Sequence, residues 1–148
     1  MKRSIVVLLC LLLAGCTSAV IPHYLPDTNP YSRRYEADYD RTYAAVRQTL
    51  QDLGWEIEQE ADPLVYEQDG ALGEGKKDVL IMSNTRQTAL FIGTRYAKMN
   101  IYIHGQDDMS DVELRYMTIS SLPFKNIVSY NNDAPAERIL DYIGGLLK

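Results

Sequence analysis

The fold is decided by two neighbouring stretches, KMNIYIH at residues 98–104 and VELRYMTI at residues 112–119. Apolar and polar side chains alternate along both, which is typical of a β-strand whose two faces meet different surroundings. Residues 105–111 between them contain Gly, Ser and several Asp, which favour a turn. The two stretches therefore predict an antiparallel hairpin. On the first predicted strand, Met99, Ile101 and Ile103 share one face. On the second, the residues that share one face are Val112, Leu114, Tyr116 and Thr118.

Two amphipathic helices are predicted on either side of this hairpin in the chain. In the first, Asp40 is a good N-cap and Gly54 supplies the stop. In the second, residues 131–133 (Asn-Asn-Asp) and Pro135 are typical of a helix start. We expect the buried stripes to be Tyr43, Val46, Leu50 and Leu53 in the first helix, and Ile139, Ile143 and Leu146, flanked by Leu140 and Leu147, in the second.

The rest of the chain adds shorter elements. Further strands are predicted at residues 34–39, 55–58, 65–68 and 78–84. Residues 69–77 are rich in glycine and predict a loop, whereas residues 85–97 fit either more sheet or a bulge. This order of elements predicts an α+β domain, an antiparallel sheet of about four to five strands with two helices packed on one face.

Composition narrows the class of protein. A length of 148 residues argues for a single domain. The net charge of −5 argues against a nucleic-acid partner, because phosphate binding needs clustered Lys and Arg. Two cysteines are too few for a zinc-finger set or a disulfide framework.

The N-terminal residues have the pattern of a targeting signal. Residues 1–3 are a short basic region, residues 5–13 are an uncharged apolar run, and Ala14-Gly15 supplies the small residues of a cleavage site. This order is typical of a secretory signal peptide. A membrane-spanning helix needs about 20 apolar residues, so the run is too short for one. Residues 1–15 are therefore predicted to be a cleaved signal peptide.

Leu13-Ala14-Gly15-Cys16 resembles the lipobox of bacterial lipoprotein precursors, over residues 1–16. The resemblance implies cleavage between Gly15 and Cys16, a diacylglyceryl thioether on Cys16 and acylation of its new α-amine. Several acyl chains would hold the protein at a membrane almost permanently. In Gram-negative lipoproteins an Asp after the cysteine favours retention in the inner membrane. Thr17 stands there instead, which implies an outer-membrane lipoprotein that faces the periplasm.

The mature chain divides into a tether and a domain. Residues 16–33 contain Pro22, Pro26 and Pro30 and predict an extended spacer that follows the lipidated cysteine. Residues 34–148 are the predicted periplasmic domain. Their order of elements resembles the helix-grip domains of envelope lipoproteins, including the C component of the outer-membrane β-barrel assembly machinery. That resemblance implies an interaction module.

Candidate catalytic and metal-binding residues are few. His104 with Asp107, Asp108 and Ser110 can be read as a hydrolytic set or as a solvated hairpin turn, and we favour the turn. The same acids with Asp111 can be read as calcium ligands or as turn residues, and the EF-hand spacing is absent. Residues 73–77 lack the phosphate-loop pattern. We expect no catalytic residue, no metal site and no cofactor.

Tyrosine is the most promising residue type for binding, because it is enriched at interaction hot spots. Tyr96, Tyr102 and Tyr130 are the best exposed candidates for a partner-binding surface, although surface tyrosines in sheets also serve cross-strand packing. We expect a non-catalytic interaction module, bound to the membrane through its lipid and to an envelope protein partner. The alternatives are a domain that binds a lipid or peptidoglycan fragment between helix and sheet, and a hydrolase that uses His104.

Overall fold

The computed structural model describes residues 19–26, 29–66 and 77–148. Within these ranges the chain forms two α-helices and a seven-stranded antiparallel sheet, so the expected α+β class is confirmed and the sheet is larger than predicted. In chain order the elements are β1 (Tyr31–Tyr35), α1 (Tyr39–Asp52), β2 (Ile57–Ala61), a 3₁₀ turn (Pro63–Val65), β3 (Asp78–Ser83), β4 (Arg86–Ala89), β5 (Thr94–Gln106), β6 (Met109–Leu122), β7 (Lys125–Ser129) and α2 (Asp133–Leu146).

The sheet is organised around the long hairpin formed by β5 and β6. These strands pair along their whole length, from Thr94 opposite Ser121 to Gln106 opposite Met109. On the free edge of β5, β3 pairs with one half and β4 with the other. On the free edge of β6, β1 and β7 divide the strand in the same way. The hairpin was predicted correctly, but both of its strands are longer than expected.

The helices cover only one half of this hairpin. Each helix has 14 residues and is therefore about 21 Å long. Strands of 13 and 14 residues extend about 45 Å. We call residues 98–117 with β1, β2 and β3 the proximal half, and residues 86–97 and 118–129 the distal hairpins. The two strands missed by the sequence reading, β4 and β7, both belong to the distal hairpins.

The main core lies between the helices and one face of the proximal half. Met99, Ile101 and Ile103 of β5 are 0–1% exposed, as the alternating pattern predicted. Both helices contribute to the same cluster, so they pack on one face of the sheet. The contributing helix residues are Ala45, Val46 and Leu50 of α1 and Ala136, Ile139, Leu140 and Ile143 of α2. Leu146 was expected in this stripe but is 45% exposed, because α2 ends there beyond the edge of the core.

Element boundaries differ from the sequence expectation near the first helix. The N-cap of α1 is Asp38, whose carboxylate accepts a hydrogen bond from the Arg41 backbone at 2.8 Å, and not the predicted Asp40. The strand expected at residues 34–39 runs instead from Tyr31 to Tyr35, because Asp38 already begins the helix. Gly54 ends α1 with a φ of +69°, a conformation that favours glycine.

The remaining predicted strands are partly correct. The strand expected at residues 78–84 is β3, whereas the one expected at 55–58 begins two residues later as β2. The edge strand expected at residues 65–68 is wrong where it is described, since Pro63–Val65 forms a 3₁₀ turn. Residues 85–97 form β4, a turn and the start of β5, which settles the choice between sheet and bulge. The predicted loop at residues 69–77 lies outside the described residues except for Lys77.

The segment predicted as a free tether is docked on the domain where it is described. Leu25 is fully buried against Met117 and Ile119, on the face of the sheet opposite the helices. Ala19 and Ile21 pack against the same cluster. Prolines keep this segment extended, and its apolar side chains then fill the open face of the sheet. The folded unit thus includes residues before the expected boundary at 34.

Candidate functional site

The three candidate tyrosines lie at the sheet face opposite the helices or at its margin, and each is half-buried. Tyr96 faces Ile119 across the β5–β6 ladder and packs, with Tyr130, against the cluster that buries Leu25. Tyr102 lies further along β5, where its ring stacks on His104 at 6.5 Å between centroids. The structure thus brings Tyr96 and Tyr130 together and leaves Tyr102 apart, and part of each ring serves packing.

Arg115 connects the docked N-terminal segment to the sheet. Its guanidinium donates hydrogen bonds to the Tyr24 hydroxyl at 2.7 Å and to the Leu25 carbonyl at 3.3 Å. It also donates to the Glu113 carboxylate at 2.6 Å. The side chain is only 5% exposed, although its place on the polar face of β6 indicated an exposed residue. Burying a charge this deeply requires such partners, so Arg115 fixes the path of residues 24–25.

Lys98 is a second buried cation on the same face. Its ammonium donates to the Glu58 carboxylate of β2 at 2.7 Å, and the Lys98 side chain is 4% exposed. That hydrogen bond holds the pKa of Glu58 below its ordinary value of 4.5. His23 of the docked segment also lies 3.5 Å from Glu58. The Lys98–Glu58 ion pair therefore links the edge strand β2 to the central strand β5.

Asn100 lies between these cations, and its side chain is 1% exposed. Among residues 19–26, 29–66 and 77–148, neither its amide nitrogen nor its amide oxygen has a hydrogen-bond partner. Its neighbours across the strands are Met82 and Arg115. A buried amide without a partner costs free energy. The alternating pattern placed it on the polar side of β5 but did not indicate its burial.

The residues considered for hydrolysis are not assembled into one set. The His104 ring pairs with the Asp78 carboxylate of β3, a partner that sequence reasoning missed because it depends on the β3–β5 register. The Ser110 hydroxyl donates to the Ala37 carbonyl at 3.0 Å and is fully buried. Along alternating strands, His104 and Ser110 face opposite sides of the sheet.

The acidic side chains of the β5–β6 turn contact an arginine or solvent. Arg34 donates two hydrogen bonds to Asp111, at 2.7 and 2.9 Å, and holds the pKa of Asp111 below its ordinary value. Asp107 and Asp108 are exposed in the turn. Among residues 19–26, 29–66 and 77–148, no group of three or more His, Cys, Asp or Glu side chains is arranged to hold a metal ion.

A cleft of about 600 Å³ opens where both helices meet the base of the distal hairpins. Its wall contains Trp55 and Tyr116 in an edge-to-face contact at 5.9 Å. The Arg86 guanidinium lies 4.7 Å from the Trp55 ring and donates to the Leu53 carbonyl at 3.1 Å. Arg138 and Asp52 also line the cleft, and the Asp52 carboxylate accepts hydrogen bonds from Gln48 at 2.7 Å and Tyr142 at 2.8 Å. Two guanidinium groups and two aromatic rings against one carboxylate favour an anionic group attached to an apolar one.

Sequence reasoning missed this cleft for a specific reason. Arg86 belongs to residues 85–97, whose structure the sequence left open, and Trp55 was read only as the start of a strand. The two side chains are 31 positions apart and meet through tertiary packing. An exposed arginine that follows a strand and a lone tryptophan were the only available signals.

The predicted lipidation and cleavage residues, Gly15 and Cys16, lie outside the described part of the chain. Neither helix of the described ranges has the length and hydropathy needed to cross a membrane. No protein-family model matches the sequence, and no curated protein matches it either. The functional interpretation therefore depends on the residues themselves.

Proposed function

We propose that the protein is a lipoprotein of the bacterial outer membrane, anchored through Cys16, with a non-catalytic interaction module in the periplasm. The module would serve an envelope assembly or transport complex as an accessory. The observation that carries the proposal is the lipobox Leu13-Ala14-Gly15-Cys16. The order of helices and strands supports it, because it resembles that of helix-grip domains in other envelope lipoproteins.

The docked N-terminal segment gives this proposal a geometric consequence. Cys16 precedes Ala19 by three residues, which extend at most about 10 Å. Ala19 already packs against the domain. A lipid on Cys16 would therefore hold the domain directly at the membrane surface, and not at the end of a long spacer. A partner of this module would be an integral or peripheral protein of the same membrane.

The anchor is tested by labelling cells with radioactive palmitate and comparing the wild type with Cys16→Ser. We expect label in the wild type and none in Cys16→Ser, because the thiolate is the acceptor of the diacylglyceryl group. Thr17→Ser is the matched control and should be labelled like the wild type. Equal labelling of wild type and Cys16→Ser would refute the anchor.

The partner is tested by cross-linking in native membranes followed by affinity purification. We expect a stoichiometric envelope protein to be recovered with the lipidated chain. Replacing Tyr96 or Tyr130 by alanine tests whether their exposed edges contribute to the interface. Recovery of the chain alone under efficient cross-linking would contradict the interaction module.

The cleft supports a second candidate, the binding of an amphiphilic anion such as a lipid phosphate or a peptidoglycan peptide. Arg86, Trp55, Tyr116 and Arg138 carry this candidate. Native mass spectrometry of the membrane-purified protein would reveal a retained ligand. Titration with a muropeptide and with a lysophospholipid separates the two sources. Arg138→Gln should weaken binding, whereas Arg34→Gln, remote from the cleft, should not; equal effects of both would contradict it.

A further inference from the structure

The distal hairpins expose large apolar side chains at their tips. Phe91 in the β4–β5 turn is fully exposed and Phe124 in the β6–β7 turn is 80% exposed. Ile92 lies beside Phe91, and Ile127 and Val128 lie on the edge strand β7, each about half exposed. Because Thr94 pairs with Ser121, both turns lie at the same end of the sheet. Phe91, Ile92 and Phe124 thus make this end of the sheet apolar, as is typical of an interaction surface. Ile127 and Val128 are consecutive in β7 and add one apolar side chain to each face.

The charge of this end is opposite to that of the whole chain. The sequence contains no Asp or Glu between Asp78 and Asp107, and none between Glu113 and Asp133. The distal hairpins lie inside these two stretches, so all of their charged residues are basic: Arg86, Arg95 and Lys125. In a protein of net charge −5, an apolar tip with only positive charge is a distinct electrostatic region. It is complementary to a surface that is apolar inside and anionic outside.

The first described residues of the N-terminal segment lie beside this region. Ala19 and Ile21 pack on the cluster that includes Ile119 and Tyr96, both residues of the distal hairpins. Ile119 precedes Leu122, the last residue of β6, by three positions, which is about 10 Å along the strand. Cys16 is at most about 10 Å of chain from Ala19. A lipid on Cys16 can therefore enter the bilayer next to the two turns.

We propose that the distal hairpins are a membrane-contact surface, which inserts Phe91 and Phe124 among the headgroups of the bilayer that holds the Cys16 lipid. Arg95 and Lys125 would then meet anionic headgroups, as basic residues flank the apolar side chains of other interfacial segments. A second copy of the chain is a poorer occupant, because two basic tips repel each other. This inference rests on the proposed lipidation and adds the orientation of the domain on the membrane.

The test uses full-length lipidated protein in vesicles of phosphatidylethanolamine and phosphatidylglycerol, with or without brominated acyl chains. Trp55 is the sole tryptophan and is buried, so it provides the background emission. Phe124→Trp and, independently, Phe91→Trp place a reporter at each tip. Met109→Trp is the matched control, because Met109 is exposed at the opposite end of the β5–β6 hairpin.

We expect brominated lipid to lower the added emission of Phe124→Trp and Phe91→Trp about twofold, since a contact surface sits at the headgroup and acyl boundary. The added emission of Met109→Trp should not change. Equal quenching at all three positions, or at none, overturns the membrane-contact surface while leaving a labelled Cys16 intact. If Cys16 carries no lipid, the proposed function fails. The same quenching measurement, made with vesicles added to the unlipidated protein, then still tests whether the distal hairpins contact a membrane.

The basic residues are tested on the Phe124→Trp reporter. Adding Arg95→Gln or, in a separate variant, Lys125→Gln should reduce quenching in vesicles with phosphatidylglycerol and leave it unchanged in vesicles of phosphatidylcholine alone. Arg34→Gln on the same reporter is the control for a change in net charge, and it should have no effect. Loss of quenching with Arg34→Gln as well would assign the effect to net charge and refute a specific headgroup contact.

Discussion

The strands β5 and β6 run through both the proximal half and the distal hairpins, yet the two regions differ in how far their side chains are exposed to solvent. In the proximal half, helices cover one face and the N-terminal segment crosses the other, so even Lys98 and Arg115 are buried. In the distal hairpins, Phe91 and Phe124 are open to solvent. The comparison shows that strand pairing alone does not bury side chains. Burial follows from the layers that pack on the sheet: the helices end halfway along β5 and β6, and the N-terminal segment covers the other face as far as Ile119 but not the turns at Phe91 and Phe124.

The largest expected effect comes from making the same substitution, isoleucine to alanine, in both regions. Ile101→Ala in the proximal half should lower the free energy of unfolding by about 2–5 kcal/mol, because it leaves a cavity in the core. Ile127→Ala in the distal hairpins should change it by less than about 0.5 kcal/mol, since the side chain is half exposed. Chemical denaturation of both variants measures the difference. Similar losses would show that the distal hairpins are covered in solution.

A smaller effect is expected where the docked segment meets both regions. Leu25→Ala should cost about 2–3 kcal/mol if the segment stays docked, or should release residues 19–26 from the sheet. Hydrogen exchange would then increase in this segment and around Met117, while α1 and α2 keep their protection. Val20→Ala is the control, because Val20 is 85% exposed. Unchanged exchange and stability in Leu25→Ala would mean that the segment is a free tether after all.

The junction between the two distal turns is tested with glycine substitutions. Gly93 has a φ of +99°, and a Cβ there would lie 2.1 Å from the Ser121 carbonyl oxygen. Gly93→Ala should therefore destabilise the protein by about 1–3 kcal/mol. Gly145→Ala in α2 meets no atom within 4 Å and should stabilise it by about 0.5 kcal/mol. Thermal melts of both variants should shift in opposite directions; a neutral Gly93→Ala would contradict the close turn packing.

The smallest effect concerns pH and the Lys98–Glu58 pair. The pKa of Glu58 is lower in the folded protein than its ordinary value of 4.5. The pair therefore stabilises the fold above that value, and this contribution is lost as the pH falls through the folded pKa. Glu58→Gln should make stability less dependent on pH as the pH falls below 4.5, the ordinary pKa of Glu58. Glu36→Gln, in the exposed loop before α1, should keep the wild-type slope, and the two slopes are compared by denaturation at each pH.

The elements that the sequence predicted well are those with strong local signals. The β5–β6 hairpin follows from alternating apolar and polar side chains, the strand β3 from the apolar run at residues 79–82, and the end of α1 from Gly54. Expectations failed where several signals compete within a few residues, as at Asp38 and Asp40, or where a strand is short and exposed, as in β7. The short exposed strand β4 lies in residues 85–97, which the sequence left open between sheet and bulge. For the candidate sites, a binding role of Tyr96, Tyr102 and Tyr130 stays a prediction. The sequence missed Arg86 beside Trp55, because their contact depends on packing between distant segments.

The sequence by itself determined which side chains share a face of β5 and β6, since alternation is a local property of the extended backbone. It also contains Leu13-Ala14-Gly15-Cys16, whose resemblance to a lipobox is the basis of the proposed anchor. Only the tertiary structure decided what covers each face: two helices lie over one side of the proximal half, Leu25 and its neighbours lie over the other, and neither helix of the described ranges reaches the distal turns. The physical reason is that covering a face requires long-range packing, which a local pattern does not encode.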